Sequence, residues 1–238
     1  MISMDGLPRV LVVDDEAPVR DITVRMLERG GFVAQGCADG ISALAVLEDH
    51  ADRNYYVIAY INCSAGVKAL SDVICTSGNA VRIVEQAPTD RPILFVPDEN
   101  LGAWGMENCD RKMDLWKGSC YVHVEFTRES IQKIKDDYPD AVTVAHPECT
   151  TAVRLLADEV CSTEKMVTFC QNAESRNIIV VTEGGMLHRL RKEAPDKNLI
   201  AGPTDSCACS DCKYMKMNTL EKLQACLEHL EPRIEVLE

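Results

Sequence analysis

Short apolar runs bounded by polar residues alternate with segments of helical spacing along most of this chain, and that alternation restricts it to α/β architectures. Val10-Leu-Val-Val13, Tyr56-Val-Ile-Ala-Tyr60, Pro92-Ile-Leu-Phe-Val96, Ala141-Val-Thr-Val-Ala145 and Ile178-Ile-Val-Val181 are all of this kind. Runs this short and this apolar suit strands buried on both faces of a parallel sheet. Between them, Val19 to Leu27, Ser42 to Leu47, Ile131 to Tyr138, Val153 to Ala157 and Met166 to Cys170 carry helical spacing. Parallel strands need long crossovers, and the helical segments supply them. The expected fold is α/β, built from repeated three-layer αβα units with short parallel sheets.

Four segments follow from changes in character along the chain: 1–53, 54–120, 121–206 and a cysteine motif with a C-terminal helix at 207–238. Polar residues collect at the strand C-termini, where open α/β sheets bind their ligands. Tyr60-Ile-Asn62, Cys75-Thr-Ser77-Gly-Asn79, His146-Pro-Glu148-Cys149 and Cys161-Ser-Thr163 are such ends. Small hydroxyl and amide residues that feed a helix N-terminus form an anion cradle. The same pattern also describes ordinary helix caps.

The segment Cys207-Ala-Cys209-Ser-Asp-Cys212 places three thiols within six residues. Spacing alone leaves zinc, an iron–sulfur centre, a redox pair and inert buried thiols all open. The opening residues lack a basic n-region and long apolar core, and no apolar run is long enough to span a bilayer. A cytoplasmic protein is therefore expected, its 12 cysteines reduced, which favours metal or redox chemistry over disulfides. A net charge of −13 argues against nucleic acid and anionic membrane as partners, because both require a basic surface.

Arg9-Val-Leu-Val-Val-Asp-Asp-Glu16, with Ala38-Asp39-Gly40 and Ala43-Leu44, resembles the first half of a response-regulator receiver domain. That family places an acidic pair beside a phosphoacceptor aspartate at the end of the third strand. Tyr60 stands at that place here, and the family's later Thr/Ser and Lys-Pro are absent. Residues 1–53 are expected to be a receiver-like β-α-β-α segment without an acceptor.

Six further motifs occur in order: Tyr60-x-Asn62, Cys75-Thr-Ser77-x-Asn79-Ala80, Trp116-x-Gly-Ser-Cys120, His146-Pro-Glu148, Ser162-Thr163 and Cys212-x-Tyr-Met-x-Met-Asn218. Together they closely resemble quinolinate synthase from about residue 55 to the end. The resemblance implies a pseudo-threefold arrangement of three αβα domains around a [4Fe-4S] cluster bound by one cysteine from each. It implies an iron–sulfur-dependent transferase that condenses iminoaspartate with dihydroxyacetone phosphate to quinolinate for NAD biosynthesis. An aspartate-oxidising enzyme would supply the iminoaspartate.

Carried over by motif, Cys120 and Cys212 are the implied cluster ligands, and Cys37 is a candidate for the third. Cys207 and Cys209 are then non-ligands available as a redox pair. Tyr60, Asn62, Ser77, His146, Glu148, Ser162 and Thr163 are implied substrate contacts, with Tyr60, His146 and Glu148 handling protons. Lys68, His123 and His188 are left as surface or packing residues. Residues 1–53 imply an incomplete or replaced first domain, and the chain ends at Val236-Leu-Glu238, short of the family's last helix. Loss of both is expected to uncover an apolar face. Two other functions compete: a non-catalytic receiver-like signalling or ligand-binding protein, and a fusion without selected function.

Overall fold

The computed structural model describes residues 9–13, 33–37, 55–204 and 210–234. The helices expected at Val19 to Leu27 and Ser42 to Leu47 lie outside the described residues, as do Cys207 and Cys209. Strands β1 (Arg9–Val13) and β2 (Val33–Cys37) pair in parallel, with Val13 opposite Cys37.

Two four-stranded parallel sheets follow, and they are wound alike. The first holds β3 (Tyr56–Tyr60), β4 (Val73–Cys75), β5 (Ile93–Val96) and β6 (Asp114–Leu115) in the spatial order β4-β3-β5-β6. The second holds β7 (Val142–Ala145), β8 (Glu159–Val160), β9 (Asn177–Val181) and β10 (Asn198–Ala201) in the order β8-β7-β9-β10. In each sheet the first and third strands in sequence occupy the centre. The crossover from the second strand to the third therefore passes the first, and the polar strand ends collect at one rim.

Helices α1 (Ala65–Ala69), α2 (Ala80–Gln86) and α3 (Glu99–Glu107) connect the first sheet. A single 3₁₀ turn at His123–Glu125 and helix α4 (Arg128–Asp137) lead into the second. That sheet is connected by α5 (Thr151–Arg154), α6 (Thr163–Asn172) and α7 (Gly185–Glu193). The expected α/β class is the one observed.

Several helices begin where the chain supplies a cap. The Ser64, Asp98 and Ser162 side chains accept from the backbone N–H of Val67, Leu101 and Lys165, satisfying donors that helix geometry leaves unpaired. Thr127 and Ser130 form a reciprocal capping box on α4.

The core is divided by sheet. Ile58, Val84, Ile93, Phe95 and Leu101 pack around the first. Met166, Ile178, Val180 and Leu190 cover one face of the second, and Phe126, Ile131, Val153 and Ile179 cover the other. Each such side chain contributes about 1.5–3 kcal/mol by leaving water. Beyond β10 the chain forms α8 (Lys213–Lys216) and α9 (Leu220–His229), on which Leu220, Leu223 and Leu227 face solvent. No helix among the described residues is long and apolar enough to cross a membrane.

Candidate active site between the two sheets

The strand ends of the two sheets meet. Tyr60, the last residue of β3, is buried and its hydroxyl donates to Glu148 Oε2 at 3.2 Å. The same hydroxyl accepts from Asn62 Nδ2 at 2.9 Å. After β4, buried Ser77 places Oγ 3.2 Å from His146 Nε2, just beyond β7. Gly78 brings this loop against the start of α6, where an added Cβ would sit 3.4 Å from Ser162 Oγ.

Glu148 is the centre of the arrangement. Its Oε2 lies 3.1 Å from His146 Nδ1 and 3.5 Å from His123 Nδ1, with all three side chains buried. The backbone N–H of Glu148 donates to His146 Nδ1 at 3.4 Å. With Nδ1 accepting this bond the ring proton sits on Nε2 facing Ser77, whereas a proton on Nδ1 faces Glu148 Oε2 and leaves Nε2 to accept from Ser77. His123 stacks on His146 with ring centroids 4.7 Å apart, and its Nε2 lies 3.0 Å from Thr182 Oγ1.

Burial sets the protonation of this group. Desolvation holds His123 and His146 down to about 4, with His146 adding to the effect on His123. Both rings are therefore neutral near pH 7. Desolvation raises Glu148, opposed by His123 and the Tyr60 hydrogen bond. Tyr60 is raised well above the usual phenol range, first by burial and then by the Glu148 charge. Asp98 is pushed up to about 7 by burial, against the pull of its backbone hydrogen bonds. Buried acids and bases shifted in this way are suited to exchanging protons with a bound substrate.

Two thiols border the group. Cys120 is half-buried, and its Sγ, a His123 nitrogen and a Glu148 oxygen lie within 4.8 Å of one another. Cys212 is also half-buried, and the N–H of the next residue, Lys213, donates at 2.5 Å to the hydroxyl of Tyr121, the residue that follows Cys120. The Cys120 and Cys212 loops therefore meet at Tyr121. His123 Nδ1 is buried without a hydrogen-bond partner, and its convergence with the Cys120 thiol and the Glu148 carboxylate makes a donor set that can hold a metal ion.

Of the residues singled out in the sequence, Tyr60, Asn62, Ser77, His146 and Glu148 share one hydrogen-bonded cluster. Ser162 is buried at its edge, capping α6, while Thr163 is exposed on the first turn of that helix. Cys37 ends β2. His188 is exposed and Lys68 half-buried, outside the cluster. His123 differs from expectation. It is not at the surface but buried, stacked on His146 and 3.5 Å from Glu148 Oε2. Its signal was the spacing Cys120-x-x-His123 directly after a matched motif. Asp98 and Thr182 were also missed: Asp98 reads from sequence as an ordinary helix cap, and Thr182 as a polar residue before a glycine turn.

Comparison with known proteins adds a family. Residues 34–238 match the family model described as quinolinate synthetase A protein. The chain is 46% identical over 189 residues to the quinolinate synthase of Nostoc punctiforme, covering 79% of this chain and 58% of that protein. It is 43% identical over 224 residues to that of a Prochlorococcus marinus strain, covering 93% and 66%. A Synechococcus quinolinate synthase is 43% identical over 223 residues, covering 93% and 69%. The chain thus spans 58% to 69% of the length of these relatives. Alignments covering 93% of the chain must enter the segment before residue 54, and the family match itself begins at residue 34. The receiver resemblance of residues 1–53 gains no support from either.

Proposed function

The chain belongs to the quinolinate synthetase A family, and on that premise we propose that it carries quinolinate synthase chemistry between its two described sheets. The reaction would condense iminoaspartate with dihydroxyacetone phosphate, in a body divided into units 54–120 and 121–206. The observation that carries the reading is the buried Tyr60–Glu148–His146–Ser77 chain of contacts, which joins the two sheets at their strand C-termini.

Each group has a task that its environment suits. Asn62, Ser77 and Ser162 offer neutral donors to carboxylate or phosphate oxygens, and Thr163 adds a hydroxyl at the start of α6. His146, neutral, can donate from a protonated Nε2 to a substrate oxygen in place of Ser77. Glu148, with its pKa raised, can take a proton from a substrate carbon and return it to a leaving hydroxyl. Tyr60 orients Glu148 through their shared bond and can donate its proton to substrate as a general acid. Condensation with loss of water requires such two-way proton traffic, and burial keeps bulk water out of it.

Cys120 and Cys212 would hold a [4Fe-4S] cluster, with Cys37 as the proposed third ligand. Cys37 ends β2, and the family match begins just before it. A cluster held by three cysteines supplies a Lewis-acidic iron with an open position. Small-molecule substrates are the proposed partners, with iminoaspartate delivered by an aspartate-oxidising enzyme.

The test is anaerobic loading of the full chain with iron and sulfide, followed by assay for quinolinate from the two substrates. Iron uptake with quinolinate formation is expected. A loaded chain that makes no quinolinate would reduce the reading to a binding role. Cys37→Ser should lower iron content, and an unchanged content would remove Cys37 from the ligand set.

A further inference from the structure

One backbone arrangement occurs twice, once in each sheet. Past the end of β5, buried Asp98 accepts from Leu101 N–H at 2.7 Å through Oδ1 and from Cys120 N–H at 2.9 Å through Oδ2. The N–H of the next residue, Glu99, donates to the Gly118 carbonyl at 2.8 Å. Past the end of β9, Glu183 accepts from Gly185 N–H at 2.8 Å through Oε2 and from Cys212 N–H at 3.2 Å through Oε1. The N–H of the next residue, Gly184, donates to the Ser210 carbonyl at 3.0 Å. In both cases that carbonyl lies two residues before the cysteine.

The two carboxylates hold equivalent places, because β5 and β9 are the equivalent central strands of like-wound sheets. Each reaches far along the chain, over 22 residues to Cys120 and 29 to Cys212. Contact at both sites is close. A Cβ on Gly118 would meet the Pro97 carbonyl at 2.4 Å, and one on Gly184 would meet Asp211 Oδ1 at 2.9 Å.

We infer that Asp98 and Glu183 are paired positioning residues, each clamping the main chain of one cysteine so that the two thiols are presented to one metal centre. The inference rests on the reading of Cys120 and Cys212 as iron ligands. A helix cap alone would need only one carboxylate oxygen, as Ser64 and Ser162 show with a single hydroxyl each. Here the second oxygen is spent on the cysteine. The neighbouring N–H···O bond then fixes a second point of the same loop, so the Cα–Cβ direction of the cysteine is set. Neither carboxylate needs to touch iron or substrate to do this.

Asp98→Asn and Glu183→Gln test the idea, since an amide offers one acceptor oxygen for two backbone donors. Asp98→Ala and Glu183→Ala remove both bonds, and Thr219→Ala, which strips the Lys222 cap from α9, serves as control. Two readouts are taken on the full chain: amide hydrogen exchange without metal, and the rate of iron loss to a chelator after anaerobic loading. Exchange at the Cys120 peptide should rise roughly tenfold in Asp98→Ala, and at the Cys212 peptide in Glu183→Ala, as loss of a backbone amide's hydrogen bond implies. Iron loss should accelerate in both, while Thr219→Ala changes neither.

If an alanine variant fails to fold, the isosteric amide carries the test. Unchanged exchange and unchanged iron retention in folded variants overturn the clamp and leave the cluster reading intact. A wild-type chain that takes up no iron overturns the cluster reading, and the exchange arm still decides whether the carboxylates hold the cysteine loops.

Discussion

The Tyr60 hydroxyl donates to Glu148 Oε2 across 3.2 Å and 88 residues of sequence, tying the central strand of one sheet to a central strand of the other. Burial is the largest cause raising both groups, so each holds its proton more tightly than the free side chain does. Tyr60→Phe preserves the buried ring and removes only the hydroxyl. Turnover in the loaded chain is expected to fall roughly 10²–10⁴-fold, the usual span for losing a general acid–base group. Glu148→Gln should fall at least as far. Initial rates of quinolinate formation, with urea unfolding measured alongside, check both. A loss under about threefold with the fold intact would remove Tyr60 from the proton path, given that same span.

The stacked histidines make stability depend on pH. Folded His123 and His146 are held near 4 by burial, while an unfolded imidazole titrates near 6.5. Between those values the unfolded chain binds more protons than the folded one. The stabilisation is therefore complete above about pH 6.5 and is lost as pH falls toward 4. Glu148, raised in the fold, acts with the opposite sign, losing its contribution as pH rises. The comparison that isolates one imidazole is His146→Gln against wild type. The variant's urea midpoint should fall less steeply from pH 6.5 to 4.5, and equal slopes would mean that the folded ring accepts its proton freely.

Strand ends were legible because each has a local signature: an apolar run that stops at a polar residue. Tyr60, Asn62, Ser77, His146 and Glu148 all follow such runs, and all five meet in the structure. His123 has no such signature. It lies on a single 3₁₀ turn, where neither helical nor strand period applies, and its role comes from a ring 23 residues away in sequence. Asp98 was hidden for a different reason. A carboxylate ahead of a helix reads as a cap, and only the folded chain shows its second oxygen on Cys120. The cysteine-rich run at 207–212 stood out through spacing, yet its loop is held by the bonds of Lys213 N–H to Tyr121 and of Cys212 N–H to Glu183, which spacing does not encode.

Arg154 fastens the Glu148 loop to the opposite sheet. Its buried guanidinium donates to the carbonyls of Asn100, Pro147 and Cys149 at 3.1, 3.3 and 2.7 Å, and to Glu107 Oε1 at 2.7 Å. A lysine ammonium cannot serve this planar fan of acceptors. Arg154→Lys is expected to cost about 2–4 kcal/mol in urea unfolding, because carbonyls and a carboxylate lose partners in a buried place. Turnover should drop as well, with KM rising, since Glu148 lies between two of the carbonyls that Arg154 holds. A variant with wild-type stability would show that water replaces the guanidinium without penalty.

Helix α3 offers a paired test of packing. A Cβ on Gly102 would lie 2.5 Å from Leu115 Cδ2 and 3.0 Å from Phe95 Cδ1, both on the strands beneath it. Phe95 is fully buried and has no room to withdraw, so Gly102→Ala forces the helix off the sheet. One turn later, a Cβ on Gly105 would meet only the Met113 methyl at 3.3 Å, the end of a flexible side chain that can move aside. Gly102→Ala is therefore expected to destabilise by about 1–3 kcal/mol, despite the better helix propensity of alanine. Gly105→Ala should be neutral or gain up to about 1 kcal/mol from that propensity. Because Asp98 caps this same helix, the Gly102 variant should also loosen Cys120, read as faster exchange of its amide. Equal stabilities for the two variants would show that α3 is not seated on β5 and β6 as closely as described.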